Sequence, residues 1–144
     1  MNLAFFLKPK SMVTYLYDDY SLRKGLTKLL ESGFSSLSVL TREGKYVGMV
    51  SEGDFLRYLA ERAHSVQELH EAKLTAILHT EKAKAVPVTT SMEELLSLAA
   101  EQNFVPVVDD FGSFIGIVRR SDIIRYFAGR ESESSLLCQV GGMN

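Results

Sequence analysis

The chain has one cysteine, no tryptophan and three prolines in 144 residues. The lone thiol, Cys138, has no internal partner, which excludes a disulfide framework and suits a reducing compartment; the cytoplasm is the expected address. Neither sign of charge is in excess. Sixteen basic residues face 18 acidic ones, a net of −2, so no broad nucleic-acid-binding surface is expected. No apolar run approaches the ~20 residues of a membrane span, and no membrane partner is expected. The start, Met1 to Lys8, lacks the basic n-region and small-residue cleavage site of a signal peptide, and Lys8-Pro9-Lys10 interrupts its apolar run. It reads as an apolar arm that packs on the domain or on a second subunit. Also missing are a phosphate-binding glycine loop of the P-loop type, a His/Cys/Ser constellation with a plausible base, and a metal-ligand cluster. His64, His70 and His79 match no compact zinc pattern, and the polar stretch 62–82 that holds them reads as a solvated connecting helix. An enzyme is therefore not expected.

The chain does contain a repeat. Gly48-Met49-Val50-Ser51-Glu52-Gly53-Asp54 recurs 68 residues later as Gly116-Ile117-Val118-Arg119-Arg120-Ser121-Asp122. Val39, Gly44, Phe55 and Tyr58 fall on Val107, Gly112, Ile123 and Tyr126 at the same offset. Upstream the offset is 70, with Ser21 on Ser91 and Phe34 on Phe104, so the first copy carries two extra residues, most simply Ser35 and Ser36. Duplication on this scale implies two similar halves about a pseudo-two-fold axis, and clefts between such halves are common ligand sites.

Each copy reads strand, helix, strand, strand, helix. In the first, Thr14 to Tyr17 has strand character, and Ser21 caps a helix carrying Leu22, Leu26, Leu29 and Leu30 at helical spacing. Gly33 stands where that helix stops. Leu37 to Thr41 and Tyr46 to Ser51 are the arms of a hairpin turning at Arg42-Glu43-Gly44-Lys45, and Asp54 opens a helix with Phe55, Leu56 and Leu59. In the second copy, Val86-Pro87-Val88 is a short strand, and Ser91 with Glu94 forms a capping box over Leu95, Leu96, Leu98 and Ala99. Val105 to Val108, a turn at Asp109-Asp110-Phe111-Gly112, Phe114 to Val118 and a helix from Asp122 with Ile123, Ile124 and Phe127 complete it. The expected fold is α/β (α+β), two βαββα repeats, with boundaries 8–61, a linker 62–82, then 83–128 and a mobile tail 129–144 rich in Ser and Gly.

A strand running into a helix at Gly-apolar-apolar-Ser-x-x-Asp has definite chemistry. The helix N-terminus favours anions, the serine donates to a phosphate, and the carboxylate accepts the two hydroxyls of a ribose. The bland alternative is that Ser51 and Asp54 form a capping box with no ligand at all. Recurrence of the aspartate behind the same strand favours the ligand.

This duplicated pattern resembles a tandem pair of CBS domains, the Bateman module named after cystathionine β-synthase. The resemblance covers about residues 8 to 128 and is carried by Gly48-Met49-Val50-Ser51…Asp54 and by Val105-Pro106-Val107-Val108-Asp109…Gly112…Gly116-Ile117-Val118…Asp122. Within that family the chain is similar to small stand-alone bacterial proteins. The resemblance implies an adenine nucleotide (AMP, ADP or ATP) or a related adenosyl compound such as cyclic di-AMP or S-adenosylmethionine, held in two clefts, with no cofactor required. It implies Asp54 and Asp122 on ribose and Ser51 on ribose or phosphate. Around the base it implies Tyr17 and Phe34-Ser35-Ser36 for the Asp122 cleft, and Val88 and Asn103-Phe104 for the Asp54 cleft. Pairing into a homodimer and an unknown downstream protein partner are implied too.

Two residues depart from the pattern. Arg119 replaces the expected hydroxyl residue, where it either contacts phosphate more strongly or blocks the cleft, and strand alternation lets only one of Arg119 and Arg120 face inward. Leu37-Ser38-Val39 lacks the usual proline. The function expected is a regulatory nucleotide sensor. The runner-up is a structural or protein-interaction module with degenerate, unoccupied clefts.

Overall fold

Local signals place nearly every element. The computed structural model describes residues 1–62, 65–80 and 84–129. In chain order these form β1 (Lys8–Pro9), β2 (Tyr15–Tyr17), α1 (Leu22–Ser32), β3 (Ser36–Leu40), β4 (Tyr46–Ser51), α2 (Glu52–Glu61), α3 (Val66–Glu71), β5 (Val86–Pro87), α4 (Met92–Glu101), β6 (Phe104–Val108), β7 (Phe114–Arg119) and α5 (Arg120–Ala128). Helix α1 opens on Ser21, whose hydroxyl accepts from the Lys24 N–H at 3.1 Å, and closes on Gly33 at φ 76°, the left-handed conformation glycine adopts without a Cβ clash. Helix α4 opens the same way on Ser91, which accepts from the Glu94 N–H at 3.1 Å; the return bond expected of Glu94 is not formed among the described residues. Of the expected buried face of α4, Leu95 and Ala99 are buried and Leu96 is exposed.

The fold is α/β, with two βαββα units each built on its own sheet. One sheet has the order β2-β3-β4 and the other β1-β7-β6-β5. In each unit the first strand runs parallel to the second, as a helical crossover requires, and a hairpin joins the second to the third. The two hairpin turns meet across the pseudo-two-fold axis. Tyr46 N–H donates to Gly112 O at 3.1 Å, and Phe114 N–H donates to Gly44 O at 2.9 Å, so equivalent residues bond reciprocally. Leu40, Phe104, Phe114 and Ile117 form a shared core on this axis, with Tyr46 stacked on Phe114 at 6.4 Å; burial pushes the Tyr46 phenol well above its ordinary pKa.

The third strand of each unit is bordered by a segment from outside the repeat plan. Along β7 runs β1, antiparallel, with Lys8 opposite Ile117 and Pro9 opposite Gly116. Along β4 runs His79, which exchanges both backbone bonds with Met49 at 3.1 and 3.2 Å. This explains the recurrent glycines. A Cβ on Gly48 would stand 2.5 Å from the His79 carbonyl oxygen, and one on Gly116 would collide with the Lys8 carbonyl. Only a residue without a side chain lets the bordering segment approach so closely.

One open alternative is decided here and one expectation is corrected. The apolar arm packs on its own chain, with Leu3 and Phe6 buried in the core of the second unit. The described residues between the repeats do not form one solvated helix. Helix α3 and a 3-10 turn at Leu74–Ile77 bury Leu69, Leu74 and Ile77 in the core of the first unit. Their apolar residues sit at irregular spacing within a polar stretch, which hides the burial from a periodicity reading. His64 and the tail 130–144 lie outside the described residues.

Candidate ligand-binding site

Each unit delivers an aspartate to the third position of the helix that follows its last strand. Asp54 stands in α2 and Asp122 in α5. The repeat makes them equivalent, but their surroundings differ. Asp54 is buried, its side chain 5% exposed. One oxygen accepts from the Ser51 N–H at 2.8 Å, and the Ser51 hydroxyl accepts from the Asp54 N–H at 3.3 Å, a complete capping box. The other oxygen accepts from Arg57 Nη2 at 2.5 Å and lies 2.7 Å from His79 Nε2, where the ring donates to it. His79 thus ties the segment between the repeats to both α2 and β4. The Asp54–Arg57–His79 cluster forms the wall between two hollows of about 210 and 200 Å³.

Asp122 is more open, its side chain 24% exposed, and no backbone cap is among its bonds in the described residues. Arg119 holds it with a two-pronged contact, Nε to Oδ2 at 2.9 Å and Nη2 to Oδ1 at 3.0 Å, and Arg125 adds one bond at 3.2 Å. Arg57 and Arg125 escaped the sequence reading, although they recur at the same offset of 68 as the aspartates they serve. His79 also escaped it, because the Met49 pairing that brings it to Asp54 is non-local.

A cavity of about 340 Å³ opens between the units on the Asp122 side. Phe34, Ser35 and Ser36, which the resemblance implies around this cleft, line it together with Arg119, the residue that departs from the family pattern. Four placements differ from the expected ones. Asn103 and Phe104 line this same cleft and not the Asp54 hollows, because the loops before β3 and β6 converge near the pseudo-dyad. Tyr17 does not line it. The chain enters β2 at Met12-Val13-Thr14, and those residues form the wall, whereas Tyr17 lies at the far end of the strand, edge-on to Tyr15 and Tyr20 with Arg42 over its ring. Val88 follows β5 and lines none of these three hollows. Finally, Arg119 and Arg120 both line the cleft. Strand alternation ends at Arg119; Arg120 already belongs to α5, where the two-residue period no longer holds.

Arg120 is held firmly. It donates to the Ala99 and Ala100 carbonyls at the end of α4, at 2.7 and 3.2 Å, and to Asn103 Oδ1 at 3.2 Å. The cation suits the negative end of that helix. Lys8, from β1, adds a third cation to the cleft wall. The Ser38 hydroxyl, buried on this wall, has no hydrogen-bond partner among the described residues. The cleft lining therefore combines two aromatic residues, three cationic ones and an unsatisfied hydroxyl, which suits a flat apolar group joined to an anion. No group of metal-binding side chains occurs among the described residues, and none of their helices is long and apolar enough to cross a membrane.

Comparison with known proteins agrees with this architecture. The model of the CBS domain family matches residues 9–61 and 75–129. The L-aspartate semialdehyde sulfurtransferase of Methanocaldococcus jannaschii is 24% identical over 115 residues, which are 80% of this chain and 21% of that protein. The chain spans 12% and 39% of two further curated relatives, so it corresponds to a part of each. Among solved structures, Listeria monocytogenes CbpB in complex with c-di-AMP superimposes with a TM-score of 0.82 at 22% identity, covering 90% of this chain and 97% of that one. CBSX2 in complex with AMP gives 0.75 at 23% identity, covering 90% and 98%. At such identities the likeness is one of fold.

Proposed function

The chain belongs to the CBS domain family, as a tandem pair, and from that premise we propose that it is a regulatory module that binds an adenine nucleotide in the cleft between its repeats. The observation that carries this reading is the 340 Å³ cleft built from both units, with Phe34 and Phe104 for a base, Lys8, Arg119 and Arg120 for phosphate and the orphaned Ser38 hydroxyl as a hydrogen-bond partner. The two fold relatives complexed with c-di-AMP and AMP support an adenosine-containing ligand. Asp54 has a different role in this reading. Its oxygens are taken up by Ser51, Arg57 and His79, so it serves as a latch and the Asp122 cleft is the principal site.

A ligand bridging both repeats biases their relative arrangement only by its differential affinity for two states, and a partner protein reads the result. The module acts as a homodimer in this reading. Leu56 and Leu59 of α2 and their equivalents Ile124 and Phe127 of α5 are exposed, so the duplication preserves one apolar face on each helix. The test is thermal stability with AMP, ATP, c-di-AMP and S-adenosylmethionine in turn. Binding to the native state alone adds about 2.7 kcal/mol at a hundredfold excess over Kd. A shift with at least one adenine nucleotide, lost on Phe34→Ala, is expected. No shift with any of the four at millimolar concentration sinks the reading and leaves a protein-interaction module with empty clefts.

A further inference from the structure

The duplication reverses charge on one pair of equivalent helices. At the offset of 70 that sets Ser21 on Ser91, Arg23 and Lys24 fall on Glu93 and Glu94. Both pairs lie in the first turn of their helix, α1 or α4, and all four residues are exposed. Acids suit a helix N-terminus, where the macrodipole is positive, and bases oppose it. Arg23 and Lys24 therefore stand against a local rule, and no anion within the described chain offsets them. Arg23 Nη1 lies 3.4 Å from His70 Nε2, and Lys24 Nζ lies 4.3 Å over the Tyr20 ring. None of the four charges joins a salt bridge among the described residues. Two turns after Arg23 and one turn after Glu93, spacings that share a helix face, stand the exposed Leu30 and Leu96.

We propose that two copies of the chain pair head to tail, the first unit of one on the second unit of the other, and that Arg23-Lys24 facing Glu93-Glu94 selects this arrangement. The inference rests on the homodimer reading of the exposed apolar helix faces. Those faces, Leu56 and Leu59 on α2 and Ile124 and Phe127 on α5, are alike in the two units. Hydrophobic contact is not directional, so they fit unit on like unit as well as unit on unlike unit. Charge separates the two. Helix α1 borders α2, where a Cβ on Gly25 would stand 3.5 Å from the Phe55 ring, and Arg120 at the start of α5 bonds the last turn of α4. The charged turns thus belong to the same helical layers as the apolar faces. Pairing of like units opposes base to base and acid to acid. Head-to-tail pairing sets each basic pair on an acidic one, and two-fold symmetry forms the contact twice. Complementarity of this kind fixes orientation and rejects the wrong pairing more than it adds affinity. Glu31 and Glu101 carry the same charge in both helices and favour neither arrangement.

The experiment is sedimentation equilibrium without nucleotide, at low and at high salt, giving the dimer Kd of four proteins. These are the unaltered chain, Arg23→Glu with Lys24→Glu, Glu93→Lys with Glu94→Lys, and the variant with all four substitutions. Each double variant is expected to weaken the dimer by roughly tenfold at low salt and by less at high salt, and the quadruple variant to return to within about threefold of the unaltered chain. Pairing of like units predicts otherwise, because replacing base against base by acid against acid leaves the repulsion as it was. Double variants that dimerise as tightly as the unaltered chain, or a quadruple variant that does not recover, refute the head-to-tail arrangement while the dimer stands. Arg23→Glu with Lys24→Glu places acids at a helix N-terminus and is expected to melt no lower than the unaltered chain. It carries the test alone if the Glu93→Lys, Glu94→Lys variant does not fold: a weakening that high salt removes supports the arrangement, and an unweakened dimer refutes it. An unaltered chain that is monomeric removes the dimer reading and the orientation with it.

Discussion

Asp54 and Asp122 are the same residue at the same place in a repeat, and the structure predicts that removing them has unequal consequences. In Asp54→Ala the Ser51 N–H loses its acceptor, which costs about 1–3 kcal/mol for a polar group at a strand–helix junction left unsatisfied. The contacts to Arg57 and His79 are also lost. Those partners are 61% and 40% exposed and rehydrate readily, so each contributes only about 0.5 kcal/mol. The total is about 2–4 kcal/mol. In Asp122→Ala no backbone donor is stranded, and Arg119 and Arg125 turn to water; the cost is about 0–1 kcal/mol. Loss of a carboxylate from the first turn of a helix is common to both and cancels in the comparison. For a chain of this size a kcal/mol corresponds to about 3 °C, so the melting temperature falls by about 6–12 °C for Asp54→Ala and by no more than about 3 °C for Asp122→Ala. Urea titration at pH 7 without nucleotide measures both differences, with unchanged m-values as the check that midpoints report stability. The reasoning is refuted if Asp122→Ala destabilises as much as Asp54→Ala, or if His79→Ala, which removes one of the same contacts, leaves stability unchanged.

The proposed dimer predicts that Ile124→Glu, in the middle of the exposed face of α5, converts a species of twice the chain mass into a monomer in light scattering at tens of micromolar; a monomer before substitution counts against the pairing. A third expectation concerns acid. Asp109 Oδ1 accepts from the Phe111 and Ser113 N–H groups at 2.8 and 2.9 Å, and these bonds hold its carboxyl below the ordinary range. Its folded pKa is depressed, so its contribution is fully present above the unfolded value of about 3.9 and is lost as pH falls through the folded one. Asp109→Asn is therefore expected to lose less stability than the unaltered chain between pH 5 and 2 in urea titrations; equal loss overturns the assignment.

Much was determined by the sequence alone, and for a physical reason. Capping, helical spacing and turn chemistry act within about four residues, so Ser21 before Leu22, Gly33 after Ser32 and the Gly44 and Gly112 turns could be read directly, and the duplication supplied the pseudo-dyad. The strand ahead of each aspartate was legible because the same Gly-apolar-Val pattern stands in both copies. Tertiary structure decided what happens at long range. It set β1 beside β7 and His79 beside β4, which turned two recurrent glycines into close-approach points and a polar stretch into part of the core. It brought the loops before β3 and β6 into one cleft, moving Asn103 and Phe104 from the side where the family resemblance had put them. Asp54 became a buried latch because a histidine from the segment between the repeats reaches it, and Asp122 stayed accessible because its partner in the equivalent place is an arginine on its own strand. A repeat specifies local conformation twice over, but the neighbours that pack on each copy come from distant parts of the chain, and they set the burial and bonding of the two carboxylates.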